Sequence, residues 1–413
     1  MSDKITKLTI NSENNLHRWL QENGISGFDP FDLYSQAPRF RNIVYSHNFI
    51  VSRSVSRLFN AANLFAPALT RKIFGVKKTV NAKGVGLLGL GYLYRYKRTK
   101  EKSDKSRIHE LAEWLMKNKD LKYPGISWGY PFDWQSRIFI PEGTPSVVVS
   151  SVVGDFFVKL FELSGEEKYL KVAEGICEFI LNGLNQTRID ENTICFSYTP
   201  LDNFQVHNAN LFGAEFLVRV GTILNNREFV STGLKAANFA ISQQLNDGSL
   251  NYWGDDQNDT QPNKNDHYHV GFEIRMLTSI GKVAADDRII SSAEKYYNYY
   301  LSNFFQDSQI GKIPKMYPYS TFPLDIHACA EAIILNTEMH RLHENENSLN
   351  LAVTIAEWVL SNMQNKDGSF AASRNKFPGF LMNIRIPYLR WGQAWMFYAI
   401  NLLLYNLTEE THS

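Results

Sequence analysis

The chain has 413 residues, 44% hydrophobic and 13% aromatic, with a formal net charge of +1. That supplies a large core, and no apolar run reaches the roughly 18–20 residues that span a bilayer. The opening MSDKITKLTINSENN lacks the apolar stretch of a secretory signal. Three scattered cysteines, Cys177, Cys195 and Cys329, do not read as a disulfide framework, so a cytoplasmic setting is expected.

In chain order, residues 1–40 read as an N-terminal extension and 41–413 as one domain. Charge is uneven. Between Arg39 and Arg107 there are 16 Lys/Arg and two acids, Glu101 and Asp104, leaving 27 of 43 basic and 40 of 42 acidic residues elsewhere. The stretch HNFIVSRSVSRLFNAANLFAPALTRKIFGVKK alternates apolar and cationic residues at helical spacing. It reads as a basic outer helix with a solvated face, and it also suits peripheral contact of residues 39–107 with an anionic membrane. No recognised nucleic-acid motif accompanies it, so no nucleic-acid partner is expected.

From there a unit recurs about every sixty residues. An apolar helix rich in small residues begins near Ala82, Ser146, His207, His267, Ile326 and Trp391, at steps of 64, 61, 60, 59 and 65. A short turn follows, then an amphipathic helix such as EEKYLKVAEGICEFILNGL or REFVSTGLKAANFAISQQL, then a long loop. Helices apolar nearly all round belong inside and one-faced helices outside. Six pairs predict an all-α (α/α)6 toroid, with short ribbons in the loops. The sixth inner helix has no partner after it, and a helix around Ser54–Leu69 is expected to close the ring. Gly84-Val85-Gly86-Leu87-Leu88-Gly89 matches a dinucleotide fingerprint, but no strand–helix–strand context surrounds it. The glycines read as close helix packing.

The long loops all lead into inner-helix starts, and long ordered loops favour function. Polar residues collect there: Asp133, Trp134, Gln135 and Arg137 in PFDWQSR; His207, Asn208 and Asn210; Tyr252; Asp266, His267 and His269; Tyr317; Asp325 and His327; Arg390, Trp391 and Gln393. Helix N-termini converging on one basin favour an anionic group. Asp325 and His327 are the leading acid/base pair, with Asp133 or Asp266 as second carboxylate across a glycosidic bond. Arg137, Arg390 and His207 are candidates to hold an acidic group, and Trp134 and Trp391 to stack on sugar faces. The remaining polar and aromatic residues named here are expected to bind substrate. The four histidines could be assembled as a zinc site but lack metal-ligand spacing, so neither metal nor cofactor is expected.

Gln244-x-x-Asp247-Gly248-Ser249 and Gln364-x-x-Asp367-Gly368-Ser369 resemble the Q-x-x-D-G-S/W element of terpene cyclases and related toroids, where it lies on outer-helix ends. The acidic motif of cyclases and the zinc set of prenyltransferases are absent. WGYPFDWQSR, HNANLFGA, DHYHVGFE, PLDIHACAEAI and RWGQAWM resemble a six-hairpin family found with bacterial surface-polysaccharide gene clusters. That family is similar in architecture to six-hairpin glycosidases, unsaturated-uronyl hydrolases and uronate lyases or epimerases. The resemblance implies a protein acting on an acidic glycan or lipid-linked sugar by carboxylate/His acid–base chemistry. The alternatives are a non-catalytic glycan-binding or scaffolding toroid, and an isoprenoid-handling enzyme with a cavity lined by Phe and Leu.

Overall fold

The computed structural model describes residues 3–37, 61–257 and 265–409. After α1 (Asp3–Asn23) come two short helices, α2 (Asp32–Gln36) and α3 (Pro67–Ile73). Five hairpins follow: α4 (Ala82–Thr99) with α5 (Lys102–Lys117), α6 (Val147–Ser164) with α7 (Glu167–Asn182), α8 (His207–Leu224) with α9 (Arg227–Ser242), α10 (His267–Ala284) with α11 (Asp287–Asn303), and α12 (Ile326–His343) with α13 (Glu346–Asn362). The last helix is α14 (Ala394–Glu409), entered through a π-helical turn at Leu389–Gln393.

Each inner helix packs on the next, and α14 packs back on α4, so the inner ring is closed. The hairpin turns share one device. Lys100, Gly165, Asn225, Ala285 and Glu344 take the left-handed conformation that ends a helix, and the outer helix starts within two residues. At the other end the loops carry short ribbons, as the sequence leads one to expect: Trp134–Gln135 with Phe139–Ile140, Gln186–Arg188 with Ile194–Phe196, Phe305–Ser308 with Gly311–Pro314, and Ser373–Phe377 with Phe380–Ile384, the last joined by Leu324–Asp325 as a third strand. One apolar cluster runs through both rings, from Leu16 to Leu407.

The glycines of α4 let its neighbours approach. A Cβ at Gly89 would sit 2.6 Å from the Phe156 ring of α6, and one at Gly91 would collide with Phe397 of α14. Packing, not phosphate binding, accounts for that glycine pattern.

Ring closure differs from the sequence expectation. The sixth outer helix is α1, which packs on α13 and α14 and puts Leu16, Trp19 and Leu20 into the core. Residues 3–23 are therefore part of the toroid rather than an extension from it. The Q-x-x-D-G-S elements show the equivalence. Gln244 Nε2 donates to Gly248 O (2.8 Å) and to Ser292 O on the next outer helix (2.9 Å). Gln364 Nε2 donates likewise to Gly368 O and to Ser12 O on α1 (3.0 Å each). Of the segment expected to close the ring, Ser54–Asn60 lie outside the described residues, and α3 sits at the loop end.

Residues 24–37 return from α1 across that loop end and are fastened by two buried ion pairs. Arg390 donates from Nε and Nη2 to the two oxygens of Asp29 (2.6 and 2.8 Å), both residues being 4% or less exposed. Arg71 lies 2.8 Å from the Asp32 carboxylate and donates to Asp29 O (3.0 Å). Removing one partner of a buried pair strands the other charge. Asp29→Ala is expected to cost about 3–5 kcal/mol in urea unfolding; a loss near zero would mean that Arg390 finds water instead.

Candidate active site

The inner-helix starts surround a cavity of about 170 Å³, room for one ring-sized ligand. Its wall is aromatic: Trp134, Trp253, Trp391, Tyr130, Tyr198, Tyr252 and Tyr268, with Phe31, Phe132, Phe204, Phe212 and Phe272. No leucine is among the described lining residues. The charged or titratable nitrogen groups are Lys83, His269, His327 and Arg390, and among the described lining residues there is no carboxylate.

His327 follows the N-cap residue of α12 by two and is 1% exposed. Its ring stacks on Tyr268 (4.3 Å, 3°) and on Trp395 (4.8 Å) and meets Trp391 edge-on (4.8 Å). Neither ring nitrogen has a hydrogen-bond partner. Burial, with the nearby charges of Lys83 and Arg390, holds it well below the usual histidine range, so the imidazole is neutral. His269, one turn into α10, has Nδ1 2.9 Å from Asp266 Oδ1, which leaves Nε2 for a ligand. Asp266 also caps α10 by accepting from the His269 N–H (3.1 Å).

Asp325 caps α12, accepting from the His327 N–H (2.8 Å), and takes a second hydrogen bond from Trp391 Nε1 (3.2 Å). Burial raises its carboxyl to about 6, against the lowering effect of those donors. It therefore stands behind the wall, one contact from His327, holding the Trp391 indole. Arg390 lines the cavity with its charge answered by Asp29, and its guanidinium lies 5.3 Å from the Tyr130 ring centroid. Trp134, Asn208, Tyr252, His269, His327, Arg390 and Trp391 are the sequence candidates that the fold brings together.

The others are placed elsewhere, for local reasons. Asp133 is used by its own loop, its Oδ1 accepting from the Glu142 N–H (2.8 Å). Gln135 is exposed and donates to Ser136 O. Arg137 is exposed too, its guanidinium lying 4.1 Å over the Trp253 ring, outside the cavity. His207 turns toward α9 and stacks on Phe239 (5.1 Å), and burial lowers it to about 4. His267 bonds Lys315 O (2.8 Å) and the Tyr300 hydroxyl (2.7 Å), away from His269 as the 200° step on a helix requires. Asn210 ties Phe196 N–H to Ala236 O, and Gln393 holds both backbone groups of Phe370. Tyr317 stacks on Tyr319 beyond the rim (5.4 Å). With His207 and His267 so engaged, the four histidines do not converge.

The sequence reading missed Lys83, Tyr198 and Asp29. The signal for Lys83 was a lone charge in the otherwise apolar first turns of α4, NAKGVGLLGLGYL.

No protein-family model and no curated protein matches the chain. Solved structures do match over most of its length. It is similar to the GH76 α-mannanase of Bacteroides thetaiotaomicron (TM-score 0.59, 13% identity, 81% of this chain and 88% of that one). It is similar to the cellobiose 2-epimerase of Bacillus thermoamylovorans B4167 (TM-score 0.60, 10% identity, 79% and 87%). It is also similar to an unsaturated glucuronyl hydrolase specific for heparin (TM-score 0.60, 12% identity, 99% of each chain). At these identities the likeness is one of fold: the chain is an (α/α)6 toroid.

Proposed function

We propose that the protein is a carbohydrate-active enzyme that moves a proton at a carbon beside a sugar carbonyl, as an epimerase or isomerase does. The observation carrying this is that two histidines face an aromatic cavity while the carboxylates stand behind them. Glycoside hydrolysis needs two carboxyl groups flanking the bond, and here Asp325 and Asp266 are engaged by Trp391 and His269. The aromatic wall suits sugar ring faces, and the fold's likeness to sugar epimerases and hydrolases is consistent with such a ligand.

In this reading His269, with the Asp266 carboxylate 2.9 Å from its Nδ1, takes the proton from carbon through Nε2, and the C–H electron pair passes to the carbonyl oxygen. His327, neutral in its dry pocket, donates a hydrogen bond to that oxygen, polarising the carbonyl without needing to be charged. Rotation of the enediolate about its C2–C3 bond lets His269 return the proton to the opposite face, which epimerises the sugar; returning it to C1, with the O2 proton passing to O1 through His327, isomerises it. Trp134 and Trp391 flank the ring. We keep with this reading the setting that the sequence resemblance implies, a glycan or lipid-linked sugar of surface-polysaccharide synthesis.

Incubation with a panel of reducing sugars in D2O should wash deuterium into one C–H position, read by proton NMR. His269→Asn and His327→Asn should each slow exchange by about 100-fold or more. Glycoside cleavage with no exchange would return the protein to the hydrolases, and tight sugar binding with neither reaction would make it a binding toroid. Exchange should also fall as pH drops through about 6, because protonating Asp325 weakens the cap hydrogen bond that positions His327. Trp391→Phe deletes a donor to that carboxylate and should move this acid limb upward.

A second reading, independent of the first, concerns the membrane. Among the described residues no helix is long and apolar enough to cross one. At the loop end, however, Phe65, Leu69 and Ile73 expose an apolar stripe at four-residue spacing (56%, 56% and 70%). Exposed Lys72, Lys77 and Lys78 flank it, and no acid occurs between residues 40 and 100. We propose that this stripe lies on an anionic lipid surface. The rest of the basic segment, residues 38–60, lies outside the described residues. Co-sedimentation with phosphatidylglycerol vesicles should drop several-fold in Leu69→Asp/Ile73→Asp and at high salt; unchanged binding would overturn the assignment.

A further inference from the structure

Lys83 is the second residue of α4, and its backbone N–H is already capped by Asn81 (3.0 Å). The side chain runs into the cavity wall, 3% exposed. Its ammonium lies 5.5 Å from the ring centroids of Phe272 and Trp395 and 5.8 Å from that of Phe212. Ring faces favour a cation at such range. They do not replace a hydrogen-bonding partner, and among the described residues no carboxylate lies within 4.0 Å of this ammonium.

The two acids whose charge reaches Lys83 are each held by an arginine. Glu331 accepts from Arg275 (2.6 and 3.2 Å), and Asp29 accepts from Arg390 (2.6 and 2.8 Å). Those two guanidiniums oppose a third positive charge, while Glu331 and Asp29 favour it. His327, also on the wall, is neutral, and His269 stands across Tyr268 from it. Burial is the largest effect and brings the Lys83 amine down to about 7. The result is an unpaired, desolvated amine at a helix N-terminus, beside an imidazole with two unpartnered nitrogens, in a cavity that already carries Arg390. Unpaired buried cations are costly unless a ligand completes them.

We propose that Lys83 anchors an anionic substituent, carboxylate or phosphate, on the saccharide bound in this cavity. This rests on the saccharide reading above and specifies its substrate class. It also reassigns the anion contact. The arginines that the sequence suggests for that task are committed, Arg390 to Asp29 and Arg137 to the face of Trp253. An unpaired amine in an apolar pocket could instead form an imine with an open-chain sugar. The surrounding positive groups favour filling the site with an anion rather than keeping the amine neutral.

Titration calorimetry of the full chain with D-glucose, D-glucuronate and D-glucose 6-phosphate tests this. One of the two anionic sugars should bind about 10-fold or more tighter than glucose at pH 6.5, which also identifies the substituent. That advantage should shrink as pH rises past about 7, since binding then requires the amine to take up a proton. Lys83→Met should bring the anionic sugar down to the level that glucose shows with the same variant, and Lys83→Arg should restore the preference. In the unaltered protein, NMR of 13C-labelled lysine should show the Lys83 amine titrating at higher pH with the anionic sugar but not with glucose, so the test does not depend on a variant folding. Equal binding of all three sugars, or a borohydride-trapped adduct at Lys83 with glucose, would overturn the Lys83 assignment alone. Failure of every sugar to bind would overturn the saccharide reading with it.

Discussion

Six inner helices begin at one end of a closed ring, and each start brings backbone N–H groups that no preceding turn can satisfy. That requirement organises the loop end. Asn81, Ser146, Asp266 and Asp325 supply cap oxygens at four of the six starts, which brings polar side chains to the cavity at that end. Two of these caps do further work by position alone. Asp266 reaches the imidazole three residues on, and Asp325 reaches the indole of Trp391 across the ring. The acid–base character of the cavity thus follows from how the helices are started.

The same end would be too open to exclude water without the return of residues 24–37. Asp29 and Asp32 fix that segment against Arg390 and Arg71, and Phe31 becomes part of the wall. Closure has an electrostatic consequence. By taking Asp29, Arg390 withdraws a carboxylate from the neighbourhood of Lys83, just as Arg275 withdraws Glu331. Two well-formed ion pairs therefore leave the Lys83 amine without a carboxylate within 4.0 Å among the described residues.

The architecture was legible in the sequence because it is periodic. The inner starts at Ala82, His207, His267 and Ile326 fall where spacing puts them, and the ribbons sit in the long loops. Closure was not legible, since residues 3–23 meet α14 only through a contact that spans the chain, and local periodicity carries no information about which outer helix fills the last gap. The site was half legible. Polar residues at inner starts mark the right end, but a helix start presents side chains both inward and outward. His267 and His269 look alike in the string, yet one serves Tyr300 and Lys315 while the other meets the cavity. His207 and Asn210 divide from Asn208 in the same way. Lys83 was hidden for the opposite reason: it sat in a segment whose glycines drew attention to packing.

Dryness is what makes this set of groups coherent, because it acts in opposite directions on a base and on an acid. It holds His327 neutral, the form that can donate to a developing oxyanion without already being charged. It lifts Asp325 toward 6 and lowers Lys83 toward 7, so two groups that would be far apart in water are drawn to the same narrow range. A ligand that displaces the remaining water strengthens every one of these interactions. An anionic ligand would in addition pull the Lys83 amine back to its charged form. Binding and proton uptake would then be one event, and the cavity would distinguish charged from neutral sugars by the protonation of a single amine rather than by its shape.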